Sequence, residues 1–578
     1  MANDNNHDFE EIAEEQLNQE MRRIKAAQAV LKRKGLDFLE RLRTEDDPDK
    51  YLSVLALWQN EDFLAEVEAT VRAELEPDPG GIRRFLVEFE SKIEDLDARW
   101  LLALWWQASR TRVPDFDLLI KEYQNVYSPD LLHRLETMWK IPGVDPLIRR
   151  CLGLWRHIAE QEVINSALAS QRTELRQSIA NYRFHHQGTD YTARQIASVI
   201  LREEQNRKLR QKAWNSLVQL SQQMAPKIRK LILQTNASWR ERGYVNPSIF
   251  RLQVIGVSET VVRQVFASIE ARTRPVAQSL LKEYWDLLNH EIMPWDWRFA
   301  AGRMAQPFEA LFGKKDVIKV AKKTYENVGI DVGQLPIQFV DSSTTHDINH
   351  NAVRVPHDII LSYGSISGFR EHFALLQVLG EACYFAHIDG DLAYPFRRYA
   401  PEVLAKGFAT LSSWLMWEYD WLKEFTALTP EQITEFSQQM KNYELLKLRY
   451  YNSFALFEMD AYHALADDPE ADLDVLYGQH MKKFLLIPTE DCTVWAAEPF
   501  LIDPQGRPFF TIYVLGLAVA ANLAEYLSES GEPLLSSQFG TLFRSELVQQ
   551  GASGPWLERL QKLTLKALTP FPMSWLKV

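Results

Sequence analysis

The segment Phe373–His387, FALLQVLGEACYFAH, holds the residues best placed for chemistry. It is apolar almost all round, so as a helix it is expected to be buried. Its polar exceptions are Gln377, Glu381, Tyr384 and His387. Gln377, Glu381 and Tyr384 stand at i, i+4 and i+7 and therefore share one helix face. Such a stripe either hydrogen-bonds within a core or faces an internal cavity. A buried carboxylate without partners is costly and tends to neutralise. Glu381 thus requires a partner, a metal or water. In an enclosed cavity it suits the role of acid or base, with Tyr384 or the downstream Tyr513 as donor.

The elements that must position this stripe are mostly helical. Apolar residues recur at helical spacing in Glu10–Leu42, Tyr51–Leu75, Ile82–Arg110 and Asp145–Leu175, and Tyr191–Arg242 reads as two long helices. A breaker, Pro77-Asp78-Pro79-Gly80-Gly81, separates the second and third. Trp100, Trp105 and Trp106 are expected to fill a core. The basic run between Arg207 and Lys212 reads as a solvated helix face, since no glycine-rich loop accompanies it. Strand signals are few: IQFVD (Ile337–Asp341) and VRVPHDIILS (Val353–Ser362) are β-branched runs around the polar stretch SSTTHDINHN. His346 and His350 fall in that stretch, and His185-His186 in FHHQGTD; both are expected to be loops at the surface. The organisation predicted is an N-terminal helical region, 1–175, and a helical domain, 176–578, with a small sheet near 337–362.

Composition narrows the function. The chain of 578 residues carries 65 Lys+Arg against 78 Asp+Glu, a formal charge of −13. That balance argues against a protein devoted to nucleic acid. Hydrophobic residues at 46% and charged residues at 25% are those of a folded globule. Cys151, Cys383 and Cys492 are far apart and form neither a metal knuckle nor a disulfide framework, which suits a reducing compartment. The polar N-terminus is not a secretory signal, and the apolar stretch Tyr513–Ala521 is shorter than the about 20 residues of a membrane span. A cytoplasmic protein with no membrane partner is expected. No nucleophile elbow, phosphate loop or dinucleotide fingerprint is present.

Several segments, in order, resemble one family. They are WRERGYVN (Trp239–Asn246), MPWDWRFA (Met293–Ala300), IQFVDSS, VRVPHDIILSYGS, LLQVLGEACYFAH, YAPEVLAKGFATL and RPFFTIYVLGLAVAANLAEYL. Together they resemble the zinc oligopeptidases of the oligoendopeptidase F and thimet oligopeptidase type, over roughly residues 191–568. The resemblance implies a mainly α, two-lobed, zincin-like oligopeptidase fold with a deep central channel and a small β-sheet. The family binds zinc through H-E-x-x-H, two histidines on one helix face with a glutamate between them as general base. In the matching frame this chain has Gln377-Val378-Leu379-Gly380-Glu381. Gln377 and Glu381 stand in place of the histidines, and Val378 in place of the base. Glu402, 25 residues after Gln377, matches the family's third ligand. It also suits a first helical turn after Pro401 and an i+4 pair with Lys406. Tyr513 matches the family's oxyanion tyrosine, while LIDPQGR carries no histidine where the family has one.

The leading expectation is therefore a catalytically degenerate oligopeptidase-like protein without metal or other cofactor. It would take up a peptide or small ligand in its channel. Gln377, His387 and Glu402 are the expected binding residues, and Glu381, Tyr384 and Tyr513 those that would do any chemistry. Three alternatives stay open: an enzyme for a small molecule using Glu381 as acid or base, an interaction protein acting through Glu10–Leu42, and a metallopeptidase with unusual ligands.

Overall fold

The computed structural model describes residues 25–27, 63–65, 67, 79–109, 112, 114–303, 312, 316–341, 348–364, 368–489, 493–502, 509–569 and 571–576. Most of the helices expected in Glu10–Leu42 and Tyr51–Leu75 lie outside these, as do Pro77, Asp78, His346, Cys492 and most of LIDPQGR. The helices include α1 (Pro79–Ser109), α2 (Phe116–Val126), α3 (Pro129–Lys140), α4 (Pro146–Asn181), α5 (Arg207–Arg240), α6 (Glu259–Leu288), α7 (Phe369–Ala386), α8 (Glu402–Trp414), α9 (Pro430–Asp467) and α10 (Phe509–Glu529). Among the described residues the fold is mainly α, with one hairpin and one three-stranded sheet.

Local sequence explains where helices begin. Thr429 and Gln432 form a reciprocal capping box ahead of α9, with Pro430 at its first position. Asn206 accepts from Lys208 N and Leu209 N at the start of α5. Pro79-Gly80-Gly81, read as part of a breaker, instead forms the first turn of α1, where a proline loses no intrahelical bond.

The described chain divides into two compact units, one from Met1–Phe89 and Pro129–Arg156, the other from Glu90–Ser128 and His157–Val578. The 175/176 boundary drawn from sequence falls inside α4. In the first unit, Phe89 meets the fully buried Trp155 edge-on at 4.8 Å, and the Arg134 guanidinium lies 4.3 Å over Phe85.

The second unit holds the sheet and the glutamate-bearing helix. Strand β3 (Ile337–Asp341) runs parallel to β5 (Asp358–Tyr363), and β4 (Asn349–Arg354) pairs antiparallel with β5, giving the order β3-β5-β4. The run VRVPHDIILS is thus two strands broken at Val355-Pro356-His357. His350 lies on β4, opposite Leu361, rather than in a surface loop. FHHQGTD is also ordered: β1 (Phe184–His186) pairs with β2 (Thr189–Tyr191) across a turn at Gln187 and Gly188, both at positive φ.

Three glycines set the spacing of α7, α8 and α10. A Cβ on Gly380 would fall 2.9 Å from Phe408 O and 2.7 Å from Ser412 Cβ. One on Gly407 would fall 2.7 Å from Val519 Cγ1, and one on Gly516 2.6 Å from Lys406 Cβ. The helices therefore approach more closely than any larger residue allows. Ser412 fills the space opposite Gly380 and accepts from Tyr325 Oη at 2.8 Å. Helix α10 is apolar and long enough to cross a membrane by composition, yet Val514, Leu515, Leu517, Ala518 and Val519 have no exposed surface. Its apolar faces are spent on the core.

Two sequence expectations fail for packing reasons. Trp100, Trp105 and Trp106 are half-buried rather than core, and Trp105 Nε1 donates to Ser362 Oγ at 2.9 Å. The basic run on α5 is only partly solvated. Arg210 and Arg207 bond the two oxygens of fully buried Asp296 at 2.7 and 3.0 Å, tying α5 to helix Pro294–Arg303.

Candidate functional site

Glu381 lies on α7 with only 14 % of its side chain exposed. Its carboxylate has the partner that burial demands. Lys406 Nζ, reaching across from α8, donates to Glu381 Oε2 at 2.7 Å. On the other side, His350 Nε2 lies 3.9 Å from Glu381 Oε1, and its ring packs 5.9 Å from Phe385. Burial works against the Lys406 ammonium, but Glu381, with Glu402 and Tyr513 behind it, holds its pKa above the ordinary lysine range. Burial pushes His350 below the ordinary histidine range; Glu381 opposes this, and Lys406 and Arg398 add to it. The imidazole is therefore neutral at pH 7.

One turn earlier on the same face, Gln377 Nε2 donates to Tyr513 Oη on α10 at 3.3 Å. Tyr513 in turn meets Tyr451 of α9 at 4.6 Å, edge to face. Beside them the Lys447 ammonium is bonded to buried Glu444 and lies 5.2, 5.6 and 5.8 Å from the rings of Phe373, Tyr443 and Tyr513. Burial opposes that charge, yet Glu444 and the surrounding tyrosines hold it well above the ordinary range. One wall of the site is thus a caged cation among aromatic rings.

Tyr384, the third residue of the stripe, is fully buried and donates to Pro401 O at 3.4 Å, at the turn that delivers Glu402 into α8. Burial raises its hydroxyl pKa. Glu402 is close enough to act on both Tyr384 and Lys406. His387 caps the end of α7, with Nδ1 2.8 Å from Cys383 O and its ring 5.7 Å from Phe543. Its ring packs against Phe543, and burial lowers its pKa, with the charge of Arg544 adding to the shift.

Of the residues singled out in the sequence, the fold brings Gln377 to Tyr513, and Glu381 and Glu402 to Lys406. Sequence reasoning missed Lys406 as a partner of Glu381, and it missed His350. Alternation in the strand was the available signal for His350: Ala352, two residues on, is buried on the same strand.

A metal is implied by the resemblance, and the residues present do not fit one. Val378 has no donor atom at the position of the base. The Gln377 amide is engaged by Tyr513, and Glu381 already holds an ammonium. Among the described residues, no group of three or more His, Cys, Asp or Glu side chains is arranged to hold a metal ion.

No protein-family profile and no curated protein matches the chain. Solved structures do. The chain is similar to the M32 carboxypeptidase from Deinococcus radiodurans R1, with a TM-score of 0.58 and 15% identity over 86% of this chain and 97% of that one. It is similar to a Pyrococcus furiosus carboxypeptidase at TM-score 0.58 and 13% identity, covering 86% and 98%. It is also similar to a protein described as oligoendopeptidase F from Bacillus anthracis, at TM-score 0.53 and 14% identity over 93% and 92%. The fold expected from the sequence resemblance is the fold these structures share.

Proposed function

We propose that this chain, with its oligopeptidase-type fold, is a metal-independent binding protein rather than a zinc peptidase. It takes up a peptide or small ligand against Gln377, Glu381, Glu402 and Tyr513. The observation that carries this reading is the 2.7 Å contact between Lys406 Nζ and Glu381 Oε2. An ammonium there supplies the positive charge that the family obtains from its metal, and it donates to a carboxylate that is mostly buried. The caged Lys447 and the tyrosines around it give a wall suited to packing against side chains of a ligand. Peptides are the ligand class favoured by the likeness to carboxypeptidases and to an oligoendopeptidase F. Action in the cytoplasm goes with the buried Cys383, a free thiol among the described residues.

The test is binding and turnover measured together. A pool of short peptides is incubated with tag-free protein, with and without chelator, and analysed by mass spectrometry. Peptides retained intact and equally in both conditions support the reading. Cleavage that chelator abolishes overturns it.

A second reading keeps chemistry at the site. His350 Nε2 lies 3.9 Å from Glu381 Oε1, beyond hydrogen-bond reach but near enough for both side chains to act on one bound molecule. Turnover of any small molecule that is abolished by His350→Gln and indifferent to chelator would favour it.

A further inference from the structure

The basic run on α5 divides between two faces of the helix. Arg207 and Arg210, at i and i+3, turn to buried Asp296. Lys208 and Lys212, at i and i+4, share another face with Asn215 and Ser216. That face and the junction of α4 with β1 line a cleft of about 400 Å³. Tyr182 holds the junction in place. Its Oη donates to Ser216 O at 2.9 Å and bonds Ser216 Oγ, which pins the end of α4 to α5. Phe184 is buried and anchors β1, so alternation along the strand leaves His185 on the outer face, in the wall of the cleft. The cleft thus joins two segments whose composition reads as plain surface, the basic run and FHHQGTD.

Positive charge gathers there, although the chain as a whole carries −13. Lys208 and Lys212 are exposed and make no side-chain hydrogen bond or ion pair among the described residues. Arg183 is fixed by Nη1, which donates to Ala180 O at 2.6 Å and to Tyr182 O at 2.8 Å. Its Nε and Nη2 have no acceptor among the described residues. The carboxylate bonded to this wall is that of Asp190, with Oδ1 2.9 Å from His185 Nδ1. Among the described residues no carboxylate lines the cleft itself. Three cations therefore line it without a counter-charge of its own. Beside the lysines, Gln211, Asn215 and Gln219 recur every fourth residue along the same wall. Each amide offers two donors and an acceptor.

We propose that this cleft binds a small phosphate monoester, its phosphate held by Lys208, Lys212 and Arg183 and its hydroxyl-bearing body by the amides of Gln211 and Asn215. Charge selects the group. A phosphate monoester carries about −1.5 to −2 at pH 7, which answers three cations better than the charge of about −1 on a single carboxylate. The guanidinium fork matches phosphate oxygens in pairs, and the lysines meet them as point charges. Size selects a small molecule, because about 400 Å³ falls within the roughly 300–1,000 Å³ of small-molecule sites. The acidic balance of the chain works against a nucleic-acid strand in its place. The cleft shares no lining residue with the Glu381 site, so the ester is a second ligand of the protein.

The experiment titrates the full chain by calorimetry with ribose 5-phosphate, AMP, ribose, inorganic phosphate and citrate. At least one ester is expected to bind with a dissociation constant on the order of 0.1–1 mM, about tenfold more tightly than inorganic phosphate, and ribose is expected not to bind. Lys208→Gln and Lys212→Gln should each weaken the ester about five- to tenfold. Lys230→Gln makes the same charge change on α5 outside the cleft and should leave ester binding as it is. Asn215→Ala should weaken the ester and spare inorganic phosphate. All four positions are exposed, and melting without ligand checks each fold. Two lysines are tested so that one unfolded variant still leaves the other. No ester binding up to about 5 mM overturns the proposal. Ester binding that survives both lysine substitutions overturns it as well. Inorganic phosphate or citrate binding as tightly as the esters would reassign the cleft to a free anion and overturn the assignment to an ester.

Discussion

Lys406 on α8 and Glu381 on α7 meet at 2.7 Å across two helices that only glycines allow so close. Lys406 Cβ rests against Gly516, and Gly380, one residue before Glu381, faces Ser412 and Phe408 O. The ion pair and the helix spacing are therefore one feature.

Removing the ammonium strands the carboxylate. Lys406→Met is expected to destabilise the chain by about 1–3 kcal/mol, since a mostly buried acceptor loses its donor. Adding Glu381→Gln should recover part of that loss. Denaturant unfolding of both singles and the double mutant measures the coupling. Additive losses would mean that the pair contributes nothing.

Gly380→Ala places a methyl group 2.9 Å from a backbone oxygen that cannot swing aside. The cost expected is about 1–3 kcal/mol from overpacking. Gly380→Ala with Ser412→Gly should restore only a part, because Phe408 O remains. A wild-type melting temperature for Gly380→Ala would contradict the close approach.

Acid should weaken the fold through His350. Its folded pKa lies below its unfolded value, so the unfolded chain binds more protons as pH falls through about 6.5. Its stabilising contribution is complete above that pH and is lost progressively below it. His387 shifts in the same direction and adds to the slope. His350→Gln should flatten stability against pH between 7 and 5 by up to one proton. An unchanged slope would place His350 in contact with water.

Tyr513→Phe deletes the acceptor for the Gln377 amide. A stability loss of at most about 0.5–1.5 kcal/mol is expected. Retention of the peptide pool should fall further than stability does, because Tyr513 also lines the wall beside Lys447. Unaltered retention would remove Tyr513 from the binding surface.

The helix face of Gln377, Glu381 and Tyr384 was legible in the sequence because an apolar helix advertises its polar exceptions. The mainly helical fold and the sheet near 337–362 were legible for the same reason: periodicity survives without the ligands. Lys406 was not. Spacing within one helix suggests the i+4 pair with Glu402, whereas its bond to Glu381 depends on glycine contacts between α7, α8 and α10 that no single segment encodes. His350 was hidden by its polar neighbours, whose composition reads as loop although the backbone pairs with β5. Arg210 was hidden likewise, since a basic run looks solvated until Asp296 is known to lie buried against it.

The proposed function requires that the Lys406–Glu381 ion pair, and not a metal ion, hold this site. The most direct measurement is zinc titration of tag-free, chelator-stripped protein by calorimetry, with metal content determined on the same samples, for the native chain and for Glu381→Ala. No stoichiometric zinc site in either protein is the predicted result. One zinc per chain bound at submicromolar concentration and lost in Glu381→Ala would contradict the account, because Glu381 would then be a metal ligand and not the partner of Lys406.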